Sequence, residues 1–224
     1  MSMQRGASRR LTGTEDRMRT LVAITVLLAA TSAHASWIDS ITNQISSLFQ
    51  SYEEAPYSVT ATYPGYEERV YPAQKWVCTE HTAHRDDDDV RSNMFWNLFR
   101  YISGNNSNQQ KIEMTVPVTT EYTEGTTTNK YQMCFYIGAE HQDDPATPTE
   151  QQVTIQQRPE MTVLTRTVGG YMDDDEDWLE ETNRLAEIIN ANGESVSLSQ
   201  TYWVGYDAPF KFWNRRNEVW FVKN

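Results

Sequence analysis

Lys111-Ile112-Glu113-Met114-Thr115-Val116-Pro117-Val118 sets Ile112, Met114, Val116 and Val118 in strict alternation with Lys111, Glu113, Thr115 and Pro117. A period of two marks a strand with one buried face. Pro117 has no amide hydrogen to give, which places that strand at a sheet edge or a bulge. Upstream, Met94, Phe95, Leu98 and Ile102 follow helical spacing over Val90 to Ser103, with Asn93, Asn97 and Arg100 elsewhere on the cylinder. Gly104 closes that helix as a left-handed C-terminal residue does. Downstream, Glu124 to Asn129 reads as a turn and Tyr131 to Ile137 as a second alternating strand.

The same succession occurs twice. Before the first helix, Glu67 to Glu80 reads as a long strand interrupted by Pro72, followed by a polar link from His81 to Asp89. In the second half, Val153 to Val168 is a long strand broken by Pro159, and Asp173 to Asp177 is an acidic run. A helix then carries Trp178, Leu179, Leu185, Ile188 and Ile189 and closes at Gly193; Ser197 to Val204 and Glu218 to Lys223 follow as strands. Pro72 and Pro159 are 87 residues apart, Gly104 and Gly193 are 89. Two strand-helix-strand-strand units related by a pseudo-twofold axis are expected, joined through Asp143 to Pro148. Each alone would leave a sheet face bare, so the expected fold is α+β, with two helices flanking a curved antiparallel sheet or distorted β-barrel.

With 38% hydrophobic and 12% aromatic residues among 224, the chain can bury a sizeable core. A formal charge of -12 argues against nucleic acid as a partner, because phosphate neutralisation needs a basic face. Residues 1–35 read as a secretory signal: Arg19 precedes an apolar run from Leu21 to Ala30, and Ala33-His34-Ala35 offers a cleavage point before Ser36. The run is too short to span a bilayer, so no integral membrane span is expected after the signal is removed. Met18 stands where such a signal would begin, so the start is either Met18 or Met1, the latter adding residues 1–17 as an upstream extension. Removing residues 1–35 takes away five basic and two acidic residues and moves the charge to -15. Trp37, Ile41, Ile45, Leu48 and Phe49 place a helix or tail over residues 36–62, ahead of one domain over 63–224.

Export exposes Cys78 and Cys134 to an oxidising compartment, where two cysteines allow one bridge; two buried thiols are the other outcome. Asn105-Asn106-Ser107 is a glycosylation sequon in a polar loop. His81 and His84 beside Asp86 to Asp89 lack a diagnostic metal spacing and read as a solvated loop that brings negative charge to a helix N-terminus. Asp173 to Asp177 reads the same way. Met94, Phe95, Leu98 and Phe99 are by themselves an ordinary core stripe. No nucleophile, paired carboxylates or phosphate loop stands out, and no catalysis is expected.

Tyr66-Glu67-Glu68-Arg69, Lys75-Trp76-Val77, the Lys111–Val118 stretch, Glu160-Met161-Thr162-Val163, Gly205-Tyr206-Asp207 and Asn217-Glu218-Val219-Trp220 occur in the order found in the SOUL family of heme-binding proteins. From about Tyr66 to Lys223 the chain resembles that family. The resemblance implies a distorted β-barrel of duplicated units and a non-enzymatic carrier or buffer of heme or protoporphyrin IX. It implies that the ring rests on the first helix at Met94, Phe95, Leu98 and Phe99, and that Arg100, Lys211 and, near a third position held by Ser92, Arg91 reach the propionates. An apolar shelf with carboxylate-binding cations suits such a ligand. Where one branch of the family has a proposed axial histidine this chain has Val70, which cannot ligate iron. The expectation is a secreted tetrapyrrole-binding protein. Its alternative is an extracellular interaction module that keeps the fold and has lost the ligand.

Overall fold

The computed structural model describes residues 52–84, 87, 89–172, 174–194, 196, 200–207, 211 and 213–223. The signal at 1–35, the apolar pattern from Trp37 to Phe49 and Ser197 to Ser199 lie outside them. Along the chain come β1 (Glu53–Glu54), β2 (Ser58–Tyr63), β3 (Tyr66–Tyr71), β4 (Gln74–His84), α1 (Val90–Ile102), β5 (Thr115–Val116), β6 (Val118–Thr123) and β7 (Thr128–Tyr136). A 3-10 turn at Ala139–His141 precedes β8 (Val153–Arg158), β9 (Met161–Val168), α2 (Asp175–Ala191), β10 (Gln200–Gly205) and β11 (Asn217–Val222).

Nine strands form one antiparallel sheet in the order β2-β3-β9-β11-β10-β6-β7-β4-β8. The prolines set this order. Pro72 and Pro159 interrupt each long strand, so β3 leaves β4 and pairs with β9, while β8 leaves β9 and pairs with β4. Each half thus lends its first strand to the other. From β3 to β8 the order reads the same from either end once the halves are exchanged, with β6 and β10 side by side at the centre.

Both helices end alike. Gly104 at φ 115° and Gly193 at φ 83° take the left-handed conformation. The following amides, Asn105 and Glu194, reach back to the carbonyls of Arg100 and Ile189, the closing pattern that a C-terminal glycine permits. Val90, Met94, Leu98, Tyr101 and Ile102 make the buried stripe of α1; Trp178, Thr182, Leu185, Ala186 and Ile189 make that of α2. At the N-terminus of α2, Asp174 accepts from the Asp177 amide at 2.9 Å, and Asp175, Glu176 and Asp177 occupy the first turn, where the helix dipole favours anions.

The sheet is buried on both faces. Val77, Phe135, Leu164, Trp203, Val219 and Phe221 join the helix stripes in one cluster. Their strand neighbours Trp76, Cys78, Cys134, Val163, Tyr202, Val204 and Trp220 form a second cluster on the opposite face with Ala55, Tyr71, Val116 and Tyr206. The segment around β1, paired in parallel with β5, contributes to this second face.

Three expectations are corrected. The sheet is open, with β2 and β8 as its edges, rather than a closed barrel. Closure would require those edges to pair, whereas the helices and the Tyr52–Tyr57 segment already contribute apolar cover to its two faces. The alternating stretch from Lys111 is not one strand: it joins a ladder at Thr115–Val116 and again only at Val118, where β6 begins. The Ile112 amide donates to the Ile102 carbonyl at 2.8 Å, tying the stretch to the end of α1, and the Val116–Pro117 peptide is cis. The polar link begins later than expected, because β4 runs to His84 beside β7. The segment from Asp143 to Pro148, expected to join the halves, is bonded to the first of them: Tyr101 Oη donates to the Ala146 carbonyl at 2.7 Å, and the Ser107 amide to the Thr147 carbonyl at 2.8 Å.

Cys78 and Cys134 face each other across β4 and β7 and are joined by a disulfide. At the exchanged seam β3-β9-β11, the Glu218 carboxylate is 0% exposed. Arg69 Nη1 reaches both its oxygens at 3.1 Å, Arg216 Nη2 donates at 2.8 Å, Tyr206 Oη at 2.8 Å and Trp220 Nε1 at 2.8 Å. Burial alone would raise the Glu218 pKa, but Arg216 and Arg69, helped by the two ring donors, hold it below the ordinary carboxylate range.

Two stability measurements test these features. Replacing both Cys78 and Cys134 with Ala should cost roughly 4 kcal/mol in urea unfolding, from loop-closure entropy over their 56-residue separation; an unchanged midpoint would refute this. Glu218→Gln should cost about 3 kcal/mol at neutral pH, because buried Arg69 and half-buried Arg216 lose the sealed carboxylate they share and keep only the partly exposed Glu67 and Glu54. A depressed folded pKa makes the Glu218 contribution fully present above its unfolded value and lost as pH falls through the folded one. Wild type should therefore converge toward the variant in acid, and parallel stability curves would exclude the linkage.

Candidate functional site

α1 packs against β4, β7 and β8, and its sides divide the expected shelf. Leu98 is 0% exposed and Met94 is also sealed. These two are core, a correction to their placement at a ligand surface: they sit one turn apart on the stripe that faces the sheet. Phe95 is half-buried, stacking on Phe99 with centroids 5.9 Å apart and touching Phe135 at 5.4 Å. Phe99 is 37% exposed, and Trp96, absent from the expected set, is 53% exposed. Trp96 meets Phe95 and Phe99 edge-on at 5.8 and 5.4 Å. The aromatic surface of α1 is therefore Phe95, Trp96 and Phe99. Sequence carried a signal for Trp96: a large aromatic displaced from the 94-98-102 stripe has no core to enter.

α2 serves as an internal comparison. Its exposed positions include Glu176, Glu180, Asn183, Arg184, Glu187 and Asn190, all polar. Two helices in equivalent places thus treat water differently, and only α1 leaves large aromatic rings in it.

Of the expected cations, Arg100 alone adjoins this patch in sequence. Its Nε and Nη2 donate to Glu150 at 2.8 and 3.1 Å, and Nη2 also donates to Asn97 at 2.6 Å. The hydrogen-bonded Glu150 raises the Arg100 pKa, while Arg100 lowers that of Glu150. Asn105 Nδ2 donates to the same carboxylate at 2.7 Å. Arg91 turns toward α2, pairing with Asp175 at 3.1 Å and lying over the Trp203 ring at 5.8 Å. Lys211 pairs with Asp207 and accepts, through its carbonyl, from Arg215 Nη1 at 2.8 Å, all within the β10–β11 connection. The structure unites Phe95, Phe99 and Arg100, while Arg91 and Lys211 are engaged elsewhere.

Val70 lies in β3 between Ser58 and Thr162 and offers iron no donor. Among the described residues no cluster of three or more His, Cys, Asp or Glu side chains could hold a metal ion; Asp86 and Asp88 lie outside them. Nor is any described helix long and apolar enough to cross a membrane.

The family model described as SOUL heme-binding protein matches residues 52–222. Human heme-binding protein 2 is 36% identical over 71% of this chain and 79% of its own length. Mouse heme-binding protein 1 is 31% identical over 79% of this chain and 96% of its own. Among solved structures, the C-terminal domain of EcmrR superposes with a TM-score of 0.54 at 12% identity, covering 75% of this chain and 98% of that one. This last likeness concerns the fold alone.

Proposed function

The chain belongs to the SOUL heme-binding protein family, and on that premise we propose that it binds a tetrapyrrole such as heme or protoporphyrin IX against Phe95, Trp96 and Phe99 of α1. The observation that carries this reading is the aromatic patch left in water on α1 and missing from α2. A flat apolar ring laid on it recovers about 25 cal/mol per Å² of apolar surface removed from water. Arg100 offers a propionate charge-assisted hydrogen bonds, in competition with Glu150 and Asn97. Binding rests on ring face and carboxylate, because Val70 replaces the donor expected of one family branch. The role is that of a carrier or buffer, without turnover.

We also propose that the protein is exported through residues 1–35 and works outside the cell, where a disulfide persists. Asn105, exposed at the end of α1, is then open to glycosylation, which would displace its bond to Glu150.

Titration with hemin and with metal-free protoporphyrin, followed by the Soret band and tryptophan quenching, tests the reading. Both should bind saturably with similar affinity. Trp96→Ala and Phe99→Ala should each weaken binding roughly ten- to hundredfold, while Lys211→Ala should not change it. Glu150→Gln, by releasing Arg100 from its carboxylate, should strengthen it severalfold. Absence of saturable binding by either pigment would leave the extracellular interaction module as the function.

A further inference from the structure

The second face of the sheet holds a buried cation that nothing in the tetrapyrrole reading uses. Arg158 closes β8, is 8% exposed, and has no hydrogen-bond partner for Nη1 or Nη2 among the described residues. Its guanidinium lies over the Trp76 ring at 4.4 Å and the Tyr202 ring at 5.5 Å. The rings satisfy the cation through its π-facing side, whereas guanidinium hydrogens lie in its own plane and need acceptors there. Desolvation lowers the pKa of this side chain, yet an arginine stays charged. A buried, charged group with four such hydrogens unmet is destabilising unless something fills the gap.

The rest of the fold shows what a filled arrangement looks like. Tyr71, which ends β3 before Pro72, corresponds to Arg158, which ends β8 before Pro159, at the same 87-residue offset. Around Tyr71 the charges are paired, with Glu218 meeting Arg69 and Arg216, although the Tyr71 hydroxyl itself has no hydrogen-bond partner among the described residues. The acid whose charge bears on Arg158 is Glu121, which accepts from the Tyr202 hydroxyl at 2.7 Å and makes no hydrogen bond to Nη1 or Nη2. β8 is an edge strand, so no further strand covers that flank.

We propose that Arg158, framed by Trp76 and Tyr202, is a binding subsite for a single carboxylate carried on an apolar body, on the sheet face opposite α1. Nη1 and Nη2 are both sealed from water in the free protein, and they form the end-on pair of donors that a carboxylate accepts with both oxygens once the open β8 edge admits it. The aromatic surroundings select an apolar carrier. Glu121 opposes additional negative charge, which restricts the ligand to a monoanion. This site is independent of the α1 patch: Arg158, Trp76 and Tyr202 share one cluster face, and Met94 and Leu98 lie beneath α1 in the other.

The test uses the full chain with 2-naphthoate and its neutral counterpart 2-naphthalenemethanol as probes. The carboxylate should bind saturably, and the alcohol about ten- to hundredfold more weakly, the worth of a charge-assisted bidentate contact. Arg158→Met should abolish that preference, while Trp96→Ala and Phe99→Ala leave it unchanged. Should Arg158→Met fail to fold, the Nε–H resonance of Arg158 in the wild-type protein decides. A saturable shift with naphthoate and none with the alcohol upholds the site. Equal binding of both probes, a preference that survives Arg158→Met or falls with the α1 variants, or an unmoved Arg158 resonance overturns it and leaves water as the partner of the guanidinium.

Discussion

The Glu218 carboxylate stands where the two halves of the chain exchange strands, and the sheet depends on its charge being met from both. Arg69 comes from β3 of the first half and Arg216 from the approach to β11 in the second. An isolated carboxylate would not stay ionised there, because desolvation costs more than any neutral donor returns. With two cations and two ring donors it becomes a stitch across the seam, and it fixes which strand of the first half lies beside β9. The opposite seam, β8 on β4, has the same topology, and among the described residues no anion pairs with Arg158 there: it rests on ring faces instead. Equal topology with unequal charge satisfaction separates a seam completed by the protein from one that is not.

Both faces of the sheet are apolar, which accounts for the density of aromatic residues in its central strands. Tyr202-Trp203-Val204 and Val219-Trp220-Phe221 carry no polar alternation, since odd and even positions enter different clusters. A sheet covered on both faces needs runs of this kind. Trp203 shows the consequence at the centre, stacking on Tyr122 at 4.4 Å and facing Trp178 of α2 at 5.9 Å, with its Nε1 on the Thr182 hydroxyl.

The elements legible in the sequence were those with local causes. Gly104 and Gly193 stop helices through their own backbone freedom, the aspartates before Trp178 cap α2 through short-range bonds, and the prolines at 72 and 159 break strands wherever they fall. The destination of the chain after those prolines was not legible, because exchange of β3 and β8 is decided by pairing partners some ninety residues away. The Lys111 stretch misled for a related reason: its alternation is real, but a buried Ile112 can be satisfied by the end of α1 as well as by a ladder. At the site, the family resemblance named Phe95, Phe99 and Arg100, whereas helical spacing alone read the aromatic positions as core. The same spacing, taken without the resemblance, put Met94 and Leu98 on the core stripe and Trp96 off it, and the sheet beneath α1 bears that out.

Exposed aromatic rings on α1 cost the free protein something that α2 avoids. Both helices cover their share of the sheet with a buried stripe, and Trp96 and Phe99 belong to neither stripe. Large apolar residues outside such a stripe are retained at the price of solubility, and a ligand or partner that covers them is the physical reason available. The placement of Arg100 one position after Phe99 adds a charge at the rim of that patch, where its pairing with Glu150 remains exchangeable because the side chain is open to water. A flat apolar molecule with an acidic edge meets both conditions at once, whereas an uncharged ring would use only the first.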